Sequence, residues 1–211
     1  MFAVEKHTKI MNILYDLASK YQADKTRELM EHYLSVYHNI LGEKRFDIKS
    51  VLEIGVWRGG SIQMWKDYFP NALITGIDSE VYAVEPWKNT ERIRVYLGRQ
   101  EDIKFLEEQI IPGGPYDLII DDGGHFSPHM KVSLLYLWKH VKPGGFYVVE
   151  DLGTSYWTQY GGSYGGQDTI ITELKSLIDD VNVRLHQQQI KYDNIWSIQF
   201  FSGLCFIQKS M

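Results

Sequence analysis

The segment "LEIGVWRGGSIQMWKDYFPNALITGID", Leu52–Asp78, contains the pattern that decides the fold. A short apolar run ends in a glycine-rich turn, and apolar residues then recur at helical spacing. A second apolar run follows and ends in an acidic residue. Strands that alternate with helices in this way are typical of a parallel α/β sheet. We therefore predict that the chain folds around such a sheet.

The rest of the chain repeats this pattern. Five apolar runs predict strands, namely "SVLEIGV", "ALITGID", "IRVYLG", "YDLIID" and "GFYVVED". The segment "NIWSIQFFSGLCFIQKS" predicts two more strands that turn at Ser202 and Gly203. The joins "SIQMWKDYF", "MKVSLLYLWKHV" and "TIITELKSLIDDVN" have the apolar spacing of helices that pack on a sheet. We predict an α/β fold with a seven-stranded, mostly parallel sheet and helices on both faces.

The N-terminal part of the chain differs from this alternating pattern. Apolar residues recur at helical spacing over residues 9–41, with an interruption at "SKYQADKTRE". We predict a short helical N-terminal cap over residues 1–49 and a ligand-binding core over residues 50–211.

Composition excludes several classes of protein. A chain of 211 residues with 44% hydrophobic residues can bury one sizeable core. Its net charge of −5 argues against a nucleic-acid or anionic-membrane binder, because such proteins carry a basic excess. The single Cys205 excludes an internal disulfide and a CxxC zinc site. Without a secretory leader or a long apolar run, we expect a cytoplasmic protein.

Polar residues follow the first two predicted strands, at the sheet edge where open α/β folds bind ligands. Gly55, Gly59 and Gly60 allow the backbone to approach a ligand closely, although a plain strand-to-helix turn would also use them. Asp78 stands where an acidic residue accepts hydrogen bonds from ribose hydroxyls. The glycine spacing departs from the pattern that binds a dinucleotide pyrophosphate. Glu53 favours a cationic ligand.

Two pairs of carboxylates follow the fourth and fifth predicted strands. Asp121 and Asp122 end one strand, and Glu150 and Asp151 end the other. If these strands are neighbours, about 4.8 Å apart, the four carboxylates converge and require a positive partner. Oxygen ligands favour Mg²⁺, Mn²⁺ or Ca²⁺ over zinc. The alternative is that an aspartate caps a helix and Glu150 binds a lysine.

His125 is the candidate general base of this edge. It follows Asp122 by three residues across a glycine pair, and imidazole titrates near neutral pH. His129 is expected to lie in the first turn of the next helix and to be structural.

Several blocks of the chain together resemble the class I S-adenosylmethionine-dependent methyltransferases, and among them the metal-dependent, mycinamicin-type sugar O-methyltransferases of macrolide pathways. The combination of "DDGGH" with "VVED" is the most specific part of this resemblance. The matching blocks are "ADK" (23–25), Leu52–Asp78, "YDLIIDDGGH" (116–125), "KPGGFYVVEDLGTSYW" (142–157) and "ELKSLID" (173–179).

The resemblance implies a Rossmann-like fold, S-adenosylmethionine as cofactor, and Mg²⁺ or another divalent cation. The implied reaction is methyl transfer to a hydroxyl of a sugar or glycosylated natural product, with His125 as general base. The metal ligands implied are Asp122, Glu150 and Asp151. The cofactor-binding residues implied are Glu53, Gly55, Gly60, Ser61, Asp78, Gln100 and Asp121.

Two features depart from the family. In "GRQED" the family commonly has Gly-Asp-Gln, so Gln100 carries over to the adenine end of the cofactor and Arg99 does not. The macrolide enzymes also carry a sizeable auxiliary N-terminal domain, whereas about 49 residues precede the first strand here. Acceptor specificity therefore does not carry over.

The acceptor is expected to be a small molecule, with no nucleic acid or membrane as partner. Tyr156, Trp157, Tyr160 and Tyr164 lie in a glycine-rich segment that either stacks on a sugar ring or packs as an ordered loop. Aromatic residues of the N-terminal helices either support a homo-oligomer or pack on the sheet; they are Tyr15, Tyr33 and Tyr37.

Three alternative functions remain open from the residues. A nicotinamide-dependent oxidoreductase is disfavoured by the glycine spacing. A non-catalytic nucleoside-binding protein would have little reason to keep carboxylates and a histidine together. A catechol-type O-methyltransferase shares the divalent metal and would chelate two acceptor hydroxyls.

Overall fold

A computed structural model describes residues 13–27, 30–183 and 189–211 of the chain. Its centre is one seven-stranded sheet with the order β3-β2-β1-β4-β5-β7-β6, in which β7 alone runs antiparallel to its neighbours. The strands are β1 (Ser50–Ile54), β2 (Leu73–Asp78), β3 (Ile93–Leu97), β4 (Tyr116–Asp121), β5 (Val141–Val149), β6 (Ile195–Phe201) and β7 (Leu204–Lys209). The predicted seven-stranded, mostly parallel α/β sheet is confirmed.

Helices cover both faces of this sheet, as the apolar spacing predicted. They are α1 (Ile13–Lys20), α2 (Glu31–Leu41), α3 (Gly60–Tyr68), α4 (Val81–Val84), α5 (Ile103–Phe105), α6 (Ser127–Leu137) and α7 (Ile170–Val181). One face packs on α1, α2 and α3, and the other packs on α6 and α7. None of the helices in the described part of the chain has the length and apolar character needed to cross a bilayer.

Alternation along the central strands divides the core into two apolar clusters. Val51, Leu118 and Val148 point to the face of α1, α2 and α3, whereas Leu52 and Ile119 point to the opposite face. Successive side chains of a strand point to opposite faces, so a strand buried on both faces reads as one apolar run. The same alternation decides which way the carboxylates at the strand ends point.

The N-terminal segment packs directly on the first of these faces. The predicted helices are confirmed over the described residues, and the predicted interruption forms a 3₁₀ turn, Asp24–Thr26, between α1 and α2. Tyr33 and Tyr37 are buried in the same apolar cluster as the sheet, so they pack on the core and offer no surface for self-association. Residues 1–12 lie outside the described part of the chain. The domain boundary at residue 49 stays a prediction.

Candidate active site

A cavity of about 390 Å³ opens at the carboxyl ends of β1, β2 and β4. This is the edge where open α/β sheets bind ligands, and the volume suits a small molecule. Eight of the predicted site residues line it: Gly55, Gly60, Ser61, Asp78, Gln100, Asp122, His125 and Asp151. The structure therefore brings together most of the residues that the sequence singled out.

The turn after β1 touches the turn after β4 at the floor of the cavity. Gly55 has φ +91°, and a Cβ there would lie 2.1 Å from the carbonyl oxygen of Asp122, so only glycine fits. Asp78 accepts hydrogen bonds at Oδ2 from the backbone N–H groups of Val56 (2.9 Å) and Trp57 (2.8 Å). Asp78 thus fixes the glycine turn while it lines the cavity.

Asp122, His125 and Asp151 form the candidate metal centre. Each offers a ligand atom, and the three atoms lie within 4.8 Å of one another. Nε2 of His125 is 3.6 Å from Oδ2 of Asp151, and its Nδ1 is buried without a hydrogen-bond partner among the described residues. Two carboxylates and an imidazole form a donor set that divalent cations accept. The residues present therefore fit a divalent cation.

Glu150 lies behind this group and contacts a lysine. Nζ of Lys25 is 2.9 Å from Oε2 of Glu150 and 2.6 Å from Oδ2 of Asp122, while Tyr37 donates a 2.6 Å hydrogen bond to Oε1 of Glu150. The alternative in which Glu150 binds a lysine is thus what the structure shows. The structure does not bring Glu150 into the group of Asp122, His125 and Asp151.

Burial and mutual attraction shift the pKa values of Lys25, Asp122 and Glu150. Burial raises the pKa of the Glu150 carboxyl well above its usual range and also raises that of Asp122, while Lys25 opposes both shifts. For Lys25, burial would lower the pKa, but attraction to Asp122 and Glu150 outweighs it and raises the pKa well above normal. The lysine therefore stays charged. A buried charge is tolerated only when it is paired, and here one ammonium serves two carboxylates.

Asp121 points away from Asp122, so the predicted convergence of four carboxylates is wrong. Adjacent strand residues face opposite sides of the sheet, and the fully buried Asp121 faces α6. It accepts hydrogen bonds from Ser133 Oγ (2.6 Å), Gln100 Nε2 (3.0 Å) and Tyr147 OH (3.1 Å). Gln100 in turn accepts one from the N–H of Gly124 (2.9 Å). Asp121 does not line the cavity and instead orients Gln100, which does.

Glu53 is also buried beneath the cavity and does not line it. Its carboxyl accepts hydrogen bonds from Ser61 Oγ (2.8 Å) and Trp65 Nε1 (2.9 Å) of α3. Burial raises the pKa of Glu53 to about 7, although Lys25 opposes this shift. Glu53 was expected to lie along the cofactor, but its side chain does not reach the cavity. It instead binds Ser61, which lines the cavity.

The aromatic segment after β5 begins with the 3₁₀ turns Leu152–Tyr156 and Thr158–Tyr160. The ring of Tyr160 lies 6.2 Å from that of His125 and 6.0 Å from that of Trp157, measured between centroids. Tyr164 is 93% exposed, and its ring lies 6.1 Å from that of Tyr156. Tyr160 is thus the member of the segment that reaches the candidate site.

Sequence reasoning missed several residues of the site. Lys25 belongs to the matching block "ADK", but nothing in a sequence shows that a lysine is buried. Trp57 and Tyr82 line the cavity from the turn after β1 and from α4. His129, expected to be structural, also lines the cavity, with Nδ1 3.5 Å from Oε2 of Glu101.

Much of this chain is similar in sequence to known methyltransferases. Residues 52–152 match the family model described as a methyltransferase domain. Mycinamicin VI 2''-O-methyltransferase of Micromonospora griseorubida is 33% identical over 93% of this chain and 52% of its own length. These matches identify residues 52–152 as a methyltransferase domain.

A further relative and a solved structure support this assignment. Demethylmacrocin O-methyltransferase of Streptomyces fradiae is 34% identical over 94% of this chain and 53% of its own length. The structure of the methyltransferase MycE in complex with Mg, SAH and mycinamycin VI superposes with a TM-score of 0.84 and 34% identity. It covers 95% of this chain and 55% of the MycE chain. The chain spans about half the length of the curated relatives it matches.

Proposed function

We propose that this methyltransferase transfers a methyl group from S-adenosylmethionine to a hydroxyl of a sugar or glycosylated natural product, assisted by a divalent cation. The observation that carries this proposal is the group of Asp122, His125 and Asp151 on the wall of the cavity. Relatives that methylate sugar hydroxyls, and a related structure that contains Mg and SAH, support it.

The cofactor would occupy the part of the cavity next to the glycine turn. Gly55, Gly60 and Ser61 line this part, and their small side chains leave room for close backbone contact. Asp78 would accept hydrogen bonds from ribose hydroxyls, and Gln100 would lie near the adenine. Carboxylates around the cavity favour the positive sulfonium of this cofactor.

The cation would be held by Asp122 and Asp151, with Glu150 joined to them through Lys25. When bound, S-adenosylmethionine supplies the methyl group and the cation lowers the pKa of the acceptor hydroxyl. His125 would accept the proton that this hydroxyl loses. Its Nε2 faces Asp151, which would stabilise the imidazolium that forms.

The acceptor would lie beside His125, under the aromatic segment. Tyr160 and Trp157 would stack on the sugar ring, because aromatic faces pack on apolar C–H surfaces. Tyr156 and Tyr164 stand farther out, at the exposed end of the segment.

Calorimetric titration of the metal-stripped protein tests the proposal. We expect micromolar binding of S-adenosylmethionine, no binding of NAD⁺, and a Mg²⁺ heat that His125→Gln retains. Failure to bind S-adenosylmethionine would overturn the assigned cofactor.

The same titration separates the two roles open to His125. If His125→Gln loses the Mg²⁺ heat, His125 is a metal ligand and the proposed base is wrong. If the heat remains, the variant should have a kcat lowered by about 100-fold or more in an assay with an accepted glycoside, because the base is missing. Ser176→Ala, an exposed substitution on α7, is the matched control.

A further inference from the structure

The side chains that hold the candidate metal carboxylates come from two parts of the N-terminal segment, the turn Asp24–Thr26 and α2. Lys25 lies between Asp122 and Glu150, at 2.6 and 2.9 Å, and its side chain is fully buried. One ammonium therefore sets the distance and orientation of two carboxylates that belong to different strand ends. The lysine reaches them across the sheet edge from the 3₁₀ turn before α2.

Two tyrosines of α2 complete this second layer. Tyr37 donates to Oε1 of Glu150 at 2.6 Å. The Tyr33 hydroxyl lies 3.2 Å from Oδ1 of Asp151 and 2.9 Å from the carbonyl oxygen of Gly203, and it shares its single hydrogen between these two acceptors. Residues four apart lie on the same face of a helix, which is why both hydroxyls reach the same sheet edge. Both rings are buried, so the hydroxyls have fixed positions.

The segment that carries Lys25 is itself anchored to α3. Lys20 and Tyr21 both bind the carboxylate of Asp67. The backbone of Ala23 passes so close to α3 that a Cβ on Gly60 would lie 2.8 Å from its Cα. Lys25 is therefore presented from a backbone held on α3, and its ammonium has little freedom to move.

We propose that Lys25 is a positioning residue of the metal site, supported by Tyr33, and that the N-terminal segment thereby sets the affinity of the site for a divalent cation. This inference rests on the proposed function, because it requires Asp122 and Asp151 to bind the cation. Groups that orient metal ligands affect metal affinity about 10–100-fold when they are replaced. Lys25 binds Asp122, and Tyr33 binds Asp151, so each orients one of the two ligands.

A purely structural lysine and a competing cation would behave differently. A structural lysine would affect the stability of the fold and leave metal affinity unchanged. A lysine that competes with the metal for Asp122 would, when removed, increase metal affinity. Only a positioning lysine lowers metal affinity upon its removal in protein that remains folded.

The test is Mn²⁺ binding, measured from the electron paramagnetic resonance signal of the free ion. We expect Lys25→Met to weaken Mn²⁺ binding by about 10–100-fold, and Tyr33→Phe to weaken it by several-fold. Binding of S-adenosylhomocysteine should be nearly unchanged in both variants. Tyr68→Phe is the matched control, because the Tyr68 hydroxyl is 2.9 Å from Nδ1 of His38 and far from these carboxylates in the hydrogen-bond network.

The outcomes separate this inference from the function on which it rests. If the unsubstituted protein binds S-adenosylhomocysteine but no Mn²⁺, the metal part of the proposed function fails. If it binds Mn²⁺ and the Lys25 and Tyr33 variants bind equally well or more tightly, the positioning role fails. If Lys25→Met does not fold, the Mn²⁺ affinities of Tyr33→Phe and Tyr68→Phe test the proposal. The two variants are comparable because each removes one hydroxyl from a buried tyrosine.

Discussion

Asp121 and Asp122 are neighbours in sequence but have opposite surroundings. Asp121 faces α6 and is held by three neutral donors, Ser133, Gln100 and Tyr147. Asp122 lines the cavity on the other face of the sheet and is held by the ammonium of Lys25.

This difference shows that two adjacent residues at the end of β4 have different roles. Asp121 supports a residue that lines the cavity, whereas Asp122 belongs to the candidate metal site. The carboxylate with neutral partners is fully buried and keeps Gln100 in place. The carboxylate paired with an ammonium lies next to His125 and Asp151, where a cation would bind. Four pairwise comparisons test the roles assigned to these aspartates and to the residues around the cavity, in order of decreasing expected effect.

Asp122→Asn should weaken Mn²⁺ binding most, by about 1,000-fold or ~4 kcal/mol, because a charged ligand is lost. Asp121→Asn, which makes the same chemical change one residue away, should alter Mn²⁺ affinity by less than about threefold. Titration of both folded variants by calorimetry measures this difference. Equal losses in the two variants would mean that both aspartates serve the metal and that the contrast between them is wrong.

Glu53→Gln should change the pH dependence of stability. The folded-state pKa of about 7 lies above the ordinary value of 4.5, so the folded state retains the proton longer than the unfolded state. The free energy of unfolding should therefore fall as pH rises from about 4.5 to about 7, by about 3 kcal/mol, and level off above that. Glu53→Gln removes this contribution, because the amide stays neutral.

Urea denaturation of both proteins at pH 5, 6, 7 and 8 measures the effect of Glu53. The unsubstituted protein should lose more stability over this range than the variant. Parallel curves for the two proteins would show that the Glu53 carboxyl is ionised in the fold throughout.

Ser133→Ala should lower the free energy of unfolding by about 2 kcal/mol, because the buried Asp121 loses its shortest hydrogen bond, at 2.6 Å. Ser176→Ala provides the control, since this serine bonds only a backbone carbonyl on the exposed side of α7. We expect its change to stay within about 0.5 kcal/mol. Chemical denaturation measures both. If Ser133→Ala lowers the free energy of unfolding no more than Ser176→Ala does, the hydrogen bond from Ser133 to Asp121 does not stabilise the fold and this interpretation is wrong.

Tyr164→Ala should have the smallest effect on stability, within about 0.5 kcal/mol, because the side chain is 93% exposed. Tyr160→Ala removes a ring that contacts His125, Phe126 and Trp157, and should lower the melting temperature measurably more. Scanning calorimetry compares the two. A larger effect at Tyr164 would place the ordered part of the segment at its outer end.

Much of the fold could be predicted from the order of apolar runs. Each predicted strand is present, and the helices "SIQMWKDYF" and "TIITELKSLIDDVN" fall within one residue of α3 and α7. The spacing of apolar residues within a strand or helix depends only on nearby positions in the chain, so it can be recognised in the sequence alone. The position of Asp78, Asp122 and His125 at the cavity could also be predicted. These residues follow predicted strands, and ligands bind where the parallel strands of an open sheet end.

The sequence by itself determined the order of strands and helices, the glycine turn at Gly55, and the placing of acidic residues at the strand ends. Tertiary structure alone decided that Asp121 supports Gln100, that Glu53 lies beneath Ser61, and that Lys25 joins Asp122 to Glu150. The reason is physical. The order of predicted strands shows which residues lie at the same edge of the sheet. It does not show which charged side chains form pairs, because such pairs depend on tertiary packing; Lys25 and Glu150, for example, are 125 residues apart.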